Sequence, residues 1–218
     1  MGLIKKAFRY ILRSLKLQIK YRINQLKWLR TNKHNKTRMG NYFPVNVVKV
    51  GNWSYGKLVV HYFEGENEGL SIGNYVSIGP DVEFFLGGEH HPQFISNYPF
   101  ALYIPSCRCK EKLDRSSKGP IIIDDDVWIG AHALILSGVH VGKGAIIGAG
   151  SVVAKNIPPY AVFAGNKIVK YRFDQETIKQ LLKLDYSHFD SKFIAKNLDS
   201  FYTINIKEAL NGNLNVGD

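Results

Sequence analysis

Cysteine is almost absent from this chain of 218 residues: Cys107 and Cys109, separated by a single residue, are its only two. Two thiols at that spacing exclude a disulfide framework, and without a second pair they do not make a metal site. They read as reduced loop thiols, which favours a reducing, cytoplasmic compartment. Long apolar runs are also missing from the N-terminal segment. Within residues 1–38 no uncharged stretch between basic side chains is long enough for a signal-peptide core or a membrane span. Nor does Met1-Gly2 begin a myristoylation motif, since Lys6 stands where Ser or Thr is required. The same segment holds no Asp or Glu, yet it carries twelve of the 29 Lys and Arg. The rest of the chain therefore holds seventeen basic side chains against eighteen acidic ones. The body is close to neutral, and the net charge of +11 belongs to the arm.

What is present begins with that arm. Ile4, Phe8, Ile11, Leu15, Ile19, Ile23 and Leu26 recur at three or four, while Lys5, Arg9, Arg13, Lys16, Lys20 and Lys27 follow another face. The spacing predicts an amphipathic basic helix within residues 1–40. Three uses compete for it: packing on the body or another subunit, lying on an anionic membrane surface, or binding nucleic acid. The third rests on charge alone and is the least favoured.

A second pattern organises the rest. Ile123, Ile129, Ile135, Val141, Ile147 and Val153 are six aliphatic residues spaced by six. The residue after each is mostly small, as at Gly130, Gly142 and Gly148, and the fourth after each is Val127, Ala133, Val139, Ala145, Ser151 and Ile157. A period of six fits neither a helix nor simple strand alternation. It marks a hexapeptide-repeat parallel β-helix, in which the aliphatic residue points inward and small residues let the chain turn. Ile72, Ile78 and Phe84 start the same register earlier. Residues 85–119 interrupt it, and a loop of that length in a compact domain is usually functional. Val45–Tyr62 reads as strand, broken by Gly51 and Gly56. After the repeat, Asp174 is the expected N-cap of a helix over 175–184 with Ile178, Leu181 and Leu182 as its apolar stripe; a second helix follows near 191–198. The C-terminal NGNLNVGD is expected to fray. The organisation expected is an arm over 1–40, a coil over 41–172 and a helical segment over 173–218.

Several motifs stand on this frame in order: Val50-Gly51-Asn52-Trp53-Ser54-Tyr55-Gly56, Ile72–Gly79, Gly87-Gly88-Glu89-His90, Asn97-Tyr98-Pro99-Phe100, Asp126-Val127-Trp128-Ile129-Gly130, residues 144–153 and Ile157-Pro158-Pro159-Tyr160-Ala161. With them, residues 45–190 resemble the xenobiotic acetyltransferases, the type B chloramphenicol and streptogramin enzymes, and their polysaccharide-modifying relatives. The resemblance implies a mainly β fold, a left-handed parallel β-helix, assembled as a homotrimer with acetyl-CoA as co-substrate in the groove between subunits. It also implies direct acetyl transfer to a hydroxyl, with no acyl-enzyme, by a histidine general base carried on the loop excursion.

His90 stands where the family histidine stands, and His91 is its runner-up. A neutral imidazole can take the proton of a poorly nucleophilic hydroxyl as it attacks the thioester, and glycine-rich turns can offer N–H donors to the oxyanion. The resemblance suggests Trp128 as a wall of the cofactor groove, with intersubunit packing as its alternative. Gly148, Ala149, Gly150 and Ser151 would lie along the pantetheine arm, and Lys167, Lys170 and Arg172 would meet the nucleotide phosphates unless they are only a solvated cluster. Tyr55, Glu89 and Tyr98 are the acceptor-side candidates. Glu89 replaces the family's usual Asn, and Lys167 follows Asn166 where the family has proline. Asp124, Asp125 and Asp126 alternate in direction along a strand and read as a solvated turn rather than a metal cluster. The basic arm favours a sugar hydroxyl of a surface polysaccharide, its lipid-linked precursor or a nucleotide sugar as acceptor. A xenobiotic acceptor is the alternative, and a non-catalytic scaffold recruited to membranes is the alternative from another class.

Overall fold

The computed structural model describes residues 2–104, 106, 116–203, 206 and 209. Cys107, Cys109 and the C-terminal stretch 211–218 lie outside the described residues.

Among the described residues, helix α1 (Gly2–Thr31) leads into fourteen short strands. The parallel ones stack on three sides of a prism. Side I holds β3 (Tyr55–His61), β5 (Ser77–Ile78), β8 (Trp128–Ile129), β11 (Ile146–Ile147) and β13 (Ala161–Ala164), with β1 (Lys36–Met39) beside β3. Side II holds β2 (Val48–Val50), β4 (Leu70–Ile72), β7 (Ile121–Ile123) and β10 (His140–Val141). Side III takes the second half of β3, then β6 (Glu83–Phe85), β9 (Leu134–Ile135) and β12 (Val152–Val153). Trp128 pairs with Ile146 and Leu134 with Val152, each pair separated by three periods of the repeat, so three hexapeptides make one coil. Across the excursion Ile72 pairs with Ile123 and Phe84 with Ile135. The insertion is thus looped out of the coil and leaves the register on either side undisturbed.

The inward positions are those the period of six predicts. Ile123, Ile129, Ile135, Val141, Ile147 and Val153 are all essentially fully buried, as are Val127, Ala133, Val139, Ala145, Ser151 and Ile157. The turning residue, however, is not the small one after each aliphatic. The chain adopts the left-handed region three residues after it, at Asp126, His132, Gly138, Gly144 and Gly150. The small residues at Gly130 and Gly142 answer a different demand, the close approach of the next coil, because a Cβ there would stand 2.6 Å from Ala149 N or Pro159 N.

Both prism ends are covered. At one, Trp28 of α1 and Phe43 meet edge to face, 5.6 Å apart, within the core. At the other, β14 (Lys167–Tyr171) folds back antiparallel on β13 and ends the parallel ladder, which limits edge pairing. A short helix, α2 (Phe100–Tyr103), lies on the excursion, and beyond β14 the helices α3 (Gln175–Leu181), α4 (Ser191–Lys196) and α5 (Leu198–Phe201) enclose a second apolar cluster around Tyr160, Ile178, Leu181, Leu184 and Phe189. Asp174 caps α3 by accepting from Thr177 N at 2.7 Å, as expected.

Four expectations shift. The arm's helix stops at Thr31, and Lys36–Met39 already belongs to side I, so the coil begins before residue 41. Within Val45–Tyr62 the strand break falls at residues 51–54, whereas Gly56 lies inside β3, where Ile78 closes over it. Helix α3 ends at Leu181, and Leu182 is 42% exposed rather than part of the stripe. The C-terminal helix near 191–198 is two short helices divided at Asn197.

Candidate active site

The excursion is tied down at its neck. Glu89 and Ser116 form an antiparallel bridge, with Ser116 N donating to Glu89 O at 3.2 Å and Gly88 N to Ser116 O at 3.0 Å. Ser117 Oγ donates to Leu86 O at 2.6 Å. Gly87 and Gly88 are pinned rather than hinged, since a Cβ at either would meet Glu68 Oε1 or the Phe63 ring at 2.8 Å. His90 leaves this neck exposed to solvent, and His91 is exposed against the Phe94 ring, 4.8 Å between centroids. Beyond them Tyr98 meets Phe100 at 5.0 Å and Tyr103 at 6.1 Å, and all three rings are substantially exposed.

The Glu89 carboxylate turns toward the coil. One carboxylate oxygen accepts from Ser137 Oγ on the next turn of the coil, and the other is buried with no hydrogen-bond partner among the described residues. Its role is to anchor the neck that presents His90.

Two of the cofactor candidates, Trp128 and Lys170, lie in one row of side I together with Tyr55, an acceptor-side candidate. Tyr55 pairs with Ser77, Ser77 with Trp128, Trp128 with Ile146, Ile146 with Val162 and Val162 with Lys170. Because Ile78, Ile129, Ile147 and Phe163 point inward, this row points outward. Tyr55 and Trp128 are each about half exposed in it. Ser77 joins the two rings, and carrying the sixfold register across the excursion is the sequence signal that would have placed it there.

Other candidates are committed elsewhere. Ser151 is fully buried; its Oγ accepts from Gly165 N at 3.1 Å and its carbonyl from Leu134 N at 2.8 Å. It cannot contact a cofactor. Gly148 N donates to Phe163 O and Gly150 N to Ala131 O, so Gly148–Gly150 offers close approach beside exposed Ala149 rather than those two donors. Arg172 donates to Gly144 O at 2.7 Å, stands 3.4 Å from Asp126 Oδ2 and lies over the Tyr160 and Phe173 rings. Lys167 and Lys170, by contrast, are both exposed.

The three aspartates are not a solvated turn. Asp124 pairs with His140 at 2.9 Å, Asp125 accepts from Asn74 N at 2.6 Å, and Asp126 holds Arg172. Among the described residues no group of three His, Cys, Asp or Glu could hold a metal ion.

Under the C-terminal helices lies a cavity of about 390 Å³, lined in part by Asp126, Tyr160, Arg172, Phe173, Tyr186 and Phe201. Arg172 bridges Asp126 and Gly144 O there, and Tyr160 Oη donates to Leu181 O, which ties the helices to the coil. Burial raises the Asp126 carboxyl above its ordinary range, against the opposing pull of Arg172. Burial, then the Asp126 charge, pushes the phenols of Tyr160 and Tyr186 far up. The folded state therefore keeps protons that the unfolded chain releases above about pH 10, so stability is lost as pH rises beyond that value. In an ultraviolet absorbance titration, Tyr160→Phe and Tyr186→Phe should remove no ionising signal before alkaline unfolding. Loss of a tyrosinate step from the folded protein would contradict the burial of that phenol.

A three-sided coil with hexapeptide rungs and an outward aromatic row defines the class, and the comparisons with known proteins agree. Residues 120–155 match the model described as bacterial transferase hexapeptide (six repeats). A protein of Lysinibacillus sphaericus named "Probable macrolide acetyltransferase" is 35% identical over 65% of this chain and 81% of its own. A chloramphenicol acetyltransferase of Klebsiella aerogenes is 32% identical over 73% and 84%. A hexapeptide-repeat acetyltransferase of Vibrio cholerae, solved with acetyl coenzyme A, superposes with a TM-score of 0.46 at 25% identity, covering 64% of this chain and 66% of that one. The chain belongs to the hexapeptide-repeat acetyltransferase family and is an acyl-transferring enzyme.

Proposed function

We propose that the protein is an acetyl-CoA-dependent O-acetyltransferase, built as a trimer of left-handed coils and working in the cytoplasm, where acetyl-CoA is made. The observation that carries this reading is the division of the site within one chain. Tyr55, Trp128 and Lys170 share side I, and Gly148–Gly150 turns the corner from side I to side III. The His90 neck leaves the coil between β6 and β7, at the corner from side III to side II. One prism side separates the two halves, so a second copy that sets its neck against side I completes the site. The exposed rings of Tyr98, Phe100 and Tyr103 on the excursion supply apolar surface for such a contact.

In the assembled site, His90 takes the proton of the acceptor hydroxyl as its oxygen attacks the thioester carbonyl. The new C–O bond forms, the oxyanion is held by backbone N–H donors, and the C–S bond breaks to release coenzyme A, which takes up the proton from His90. The acceptor we infer is a sugar hydroxyl of a surface polysaccharide, its lipid-linked precursor or a nucleotide sugar, a choice supported by the exposed basic helix. Similarity to enzymes named for chloramphenicol and macrolide acetylation favours a second reading, in which the acceptor is xenobiotic.

The test is release of free coenzyme A, read by thiol detection, across nucleotide sugars, oligosaccharides, chloramphenicol and virginiamycin-type streptogramins. Release with sugars alone is the expected result. Release with an antibiotic alone would move the enzyme to the xenobiotic branch, and silence without acetyl-CoA binding would favour the scaffold.

A further inference from the structure

Helix α1 is 30 residues long, about 45 Å at 1.5 Å per residue. It meets the body through one face near its C-terminus. Tyr21 Oη donates to Met39 O at 3.2 Å, Asn24 Nδ2 to Phe43 O at 3.0 Å and Trp28 Nε1 to Thr37 O at 3.3 Å, with Trp28 only 1% exposed. The apolar stripe lies about 150° around the helix from that face. Ile4, Phe8, Ile11, Leu15, Ile19, Ile23 and Leu26 are between 48% and 78% exposed. Leu26, close along the chain to buried Trp28, is 68% exposed. The body therefore does not cover the stripe; it holds the helix by its other side and turns the stripe outward.

Charge narrows what can cover it. Lys5, Arg9, Lys16, Lys20 and Lys27 run along one flank of the stripe, and residues 1–38 hold no acid. A second copy of α1 laid on the stripe would bring like charges together with no carboxylate to pair them, the reverse of a helix–helix seam flanked by opposite charges. A nucleic acid would meet the cations and leave seven large apolar side chains in water. An anionic bilayer satisfies both faces, with the apolar residues at the acyl boundary and the flanking cations among phosphates. No helix among the described residues is long and apolar enough to cross a membrane.

We propose that α1 is an interfacial helix that lies in the plane of an anionic bilayer, with its stripe from Ile4 to Leu26 inserted and the coil held on the water side by Tyr21, Asn24 and Trp28. This goes beyond the acetyl-transfer reading and rests on the helix alone. Failure of the coenzyme A assay leaves it standing, and its own failure leaves acetyl transfer standing while removing the arm's support for a sugar acceptor.

The test is sedimentation of the full-length protein with phosphatidylcholine vesicles, made with and without phosphatidylglycerol. Binding should rise more than about tenfold with the anionic lipid and fall as salt is added. Lys5→Gln/Arg9→Gln/Lys16→Gln should weaken it roughly fivefold per cation. Phe8→Ser/Ile11→Ser/Leu15→Ser should reduce it to the level seen with neutral vesicles. These side chains do not support the coil, so circular dichroism of the body should be unchanged. Binding that survives the serine variant, or no binding to anionic vesicles, would overturn the proposal. Salt-sensitive binding to duplex DNA in place of vesicles would do the same and assign the arm to nucleic acid.

Discussion

His90→Ala should lower kcat for acetyl transfer by about 10²–10⁴-fold and leave the binding of acetyl-CoA within a factor of about two. The asymmetry follows from where the residue sits. The cofactor candidates belong to side I, whereas His90 belongs to the neck anchored by Glu89, Ser116 and Ser137, so its removal takes a proton acceptor away without touching the groove. His91→Ala is the discriminating control. His91 leans on the Phe94 ring, so its loss should disturb the excursion and act on acceptor KM rather than kcat. Steady-state kinetics with the acceptor found by the panel would separate the two. A His91 variant with the larger fall in kcat would exchange their roles, and a His90 variant as fast as the natural protein would remove the base. Glu89→Gln tests the anchor from behind. It keeps the shape and an acceptor for Ser137 while removing the charge, so kcat should fall less than with His90→Ala, and Glu89→Ala should fall further than Glu89→Gln.

Much of the coil was legible because its constraint is periodic. One inward residue in six was enough to predict all six buried positions from Ile123 to Val153, and the same register identified Ile72, Ile78 and Phe84 across the excursion. Trp128 points outward because its chain neighbours Val127 and Ile129 are both buried. What the period could not reveal is what side chains do once they leave it. Arg172 and the three aspartates look alike in sequence as charge near a turn, but their partners lie far along the chain, at contacts set by how the C-terminal helices and adjoining coils meet. Glu89 read as an acceptor-side residue because it precedes the histidine, and only the approach of Ser137 turns it inward. Ser151 looked available as part of a small-residue run, yet it occupies the inward fourth position, where its hydroxyl is spent on Gly165 N. That error was avoidable, since Val127, Ala133, Val139 and Ala145 occupy the same position and all are buried. The helical arm was legible as amphipathic, but the face that meets the body was not, because Tyr21, Asn24 and Trp28 form a second, mixed stripe that hydrophobicity alone does not single out.

Gly130→Val should cost about 3 kcal/mol or more of stability, a large share of the roughly 5–15 kcal/mol that holds a domain together. Gly130 belongs to a column on side I with Gly79 below and Gly148 above. Each donates its N–H to the coil stacked on it: Gly79 to Ile129 O at 2.8 Å, Gly130 to Ile147 O at 2.7 Å and Gly148 to Phe163 O at 2.7 Å. A Cβ on Gly130 would stand 2.6 Å from Ala149 N and 2.9 Å from Ala149 Cα. Both are backbone atoms, so relief requires lifting the next coil and lengthening the hydrogen bond that joins the two. Gly130 is not in the left-handed region, so conformational strain is not the cause. Gly148 is the control within the same column. Its Cβ would meet Ala164 Cβ at 3.2 Å, a contact that a small shift absorbs, and Gly148→Ala should change the urea midpoint little. Equal losses for Gly130→Ala and Gly148→Ala would show that the column is not graded by approach. The gradient also carries function, because lifting the coil at Gly130 separates Trp128 from Ile146 in the outward row. A milder Gly130→Ala protein that still folds should therefore show a raised KM for acetyl-CoA with kcat nearly intact, the opposite split from His90→Ala.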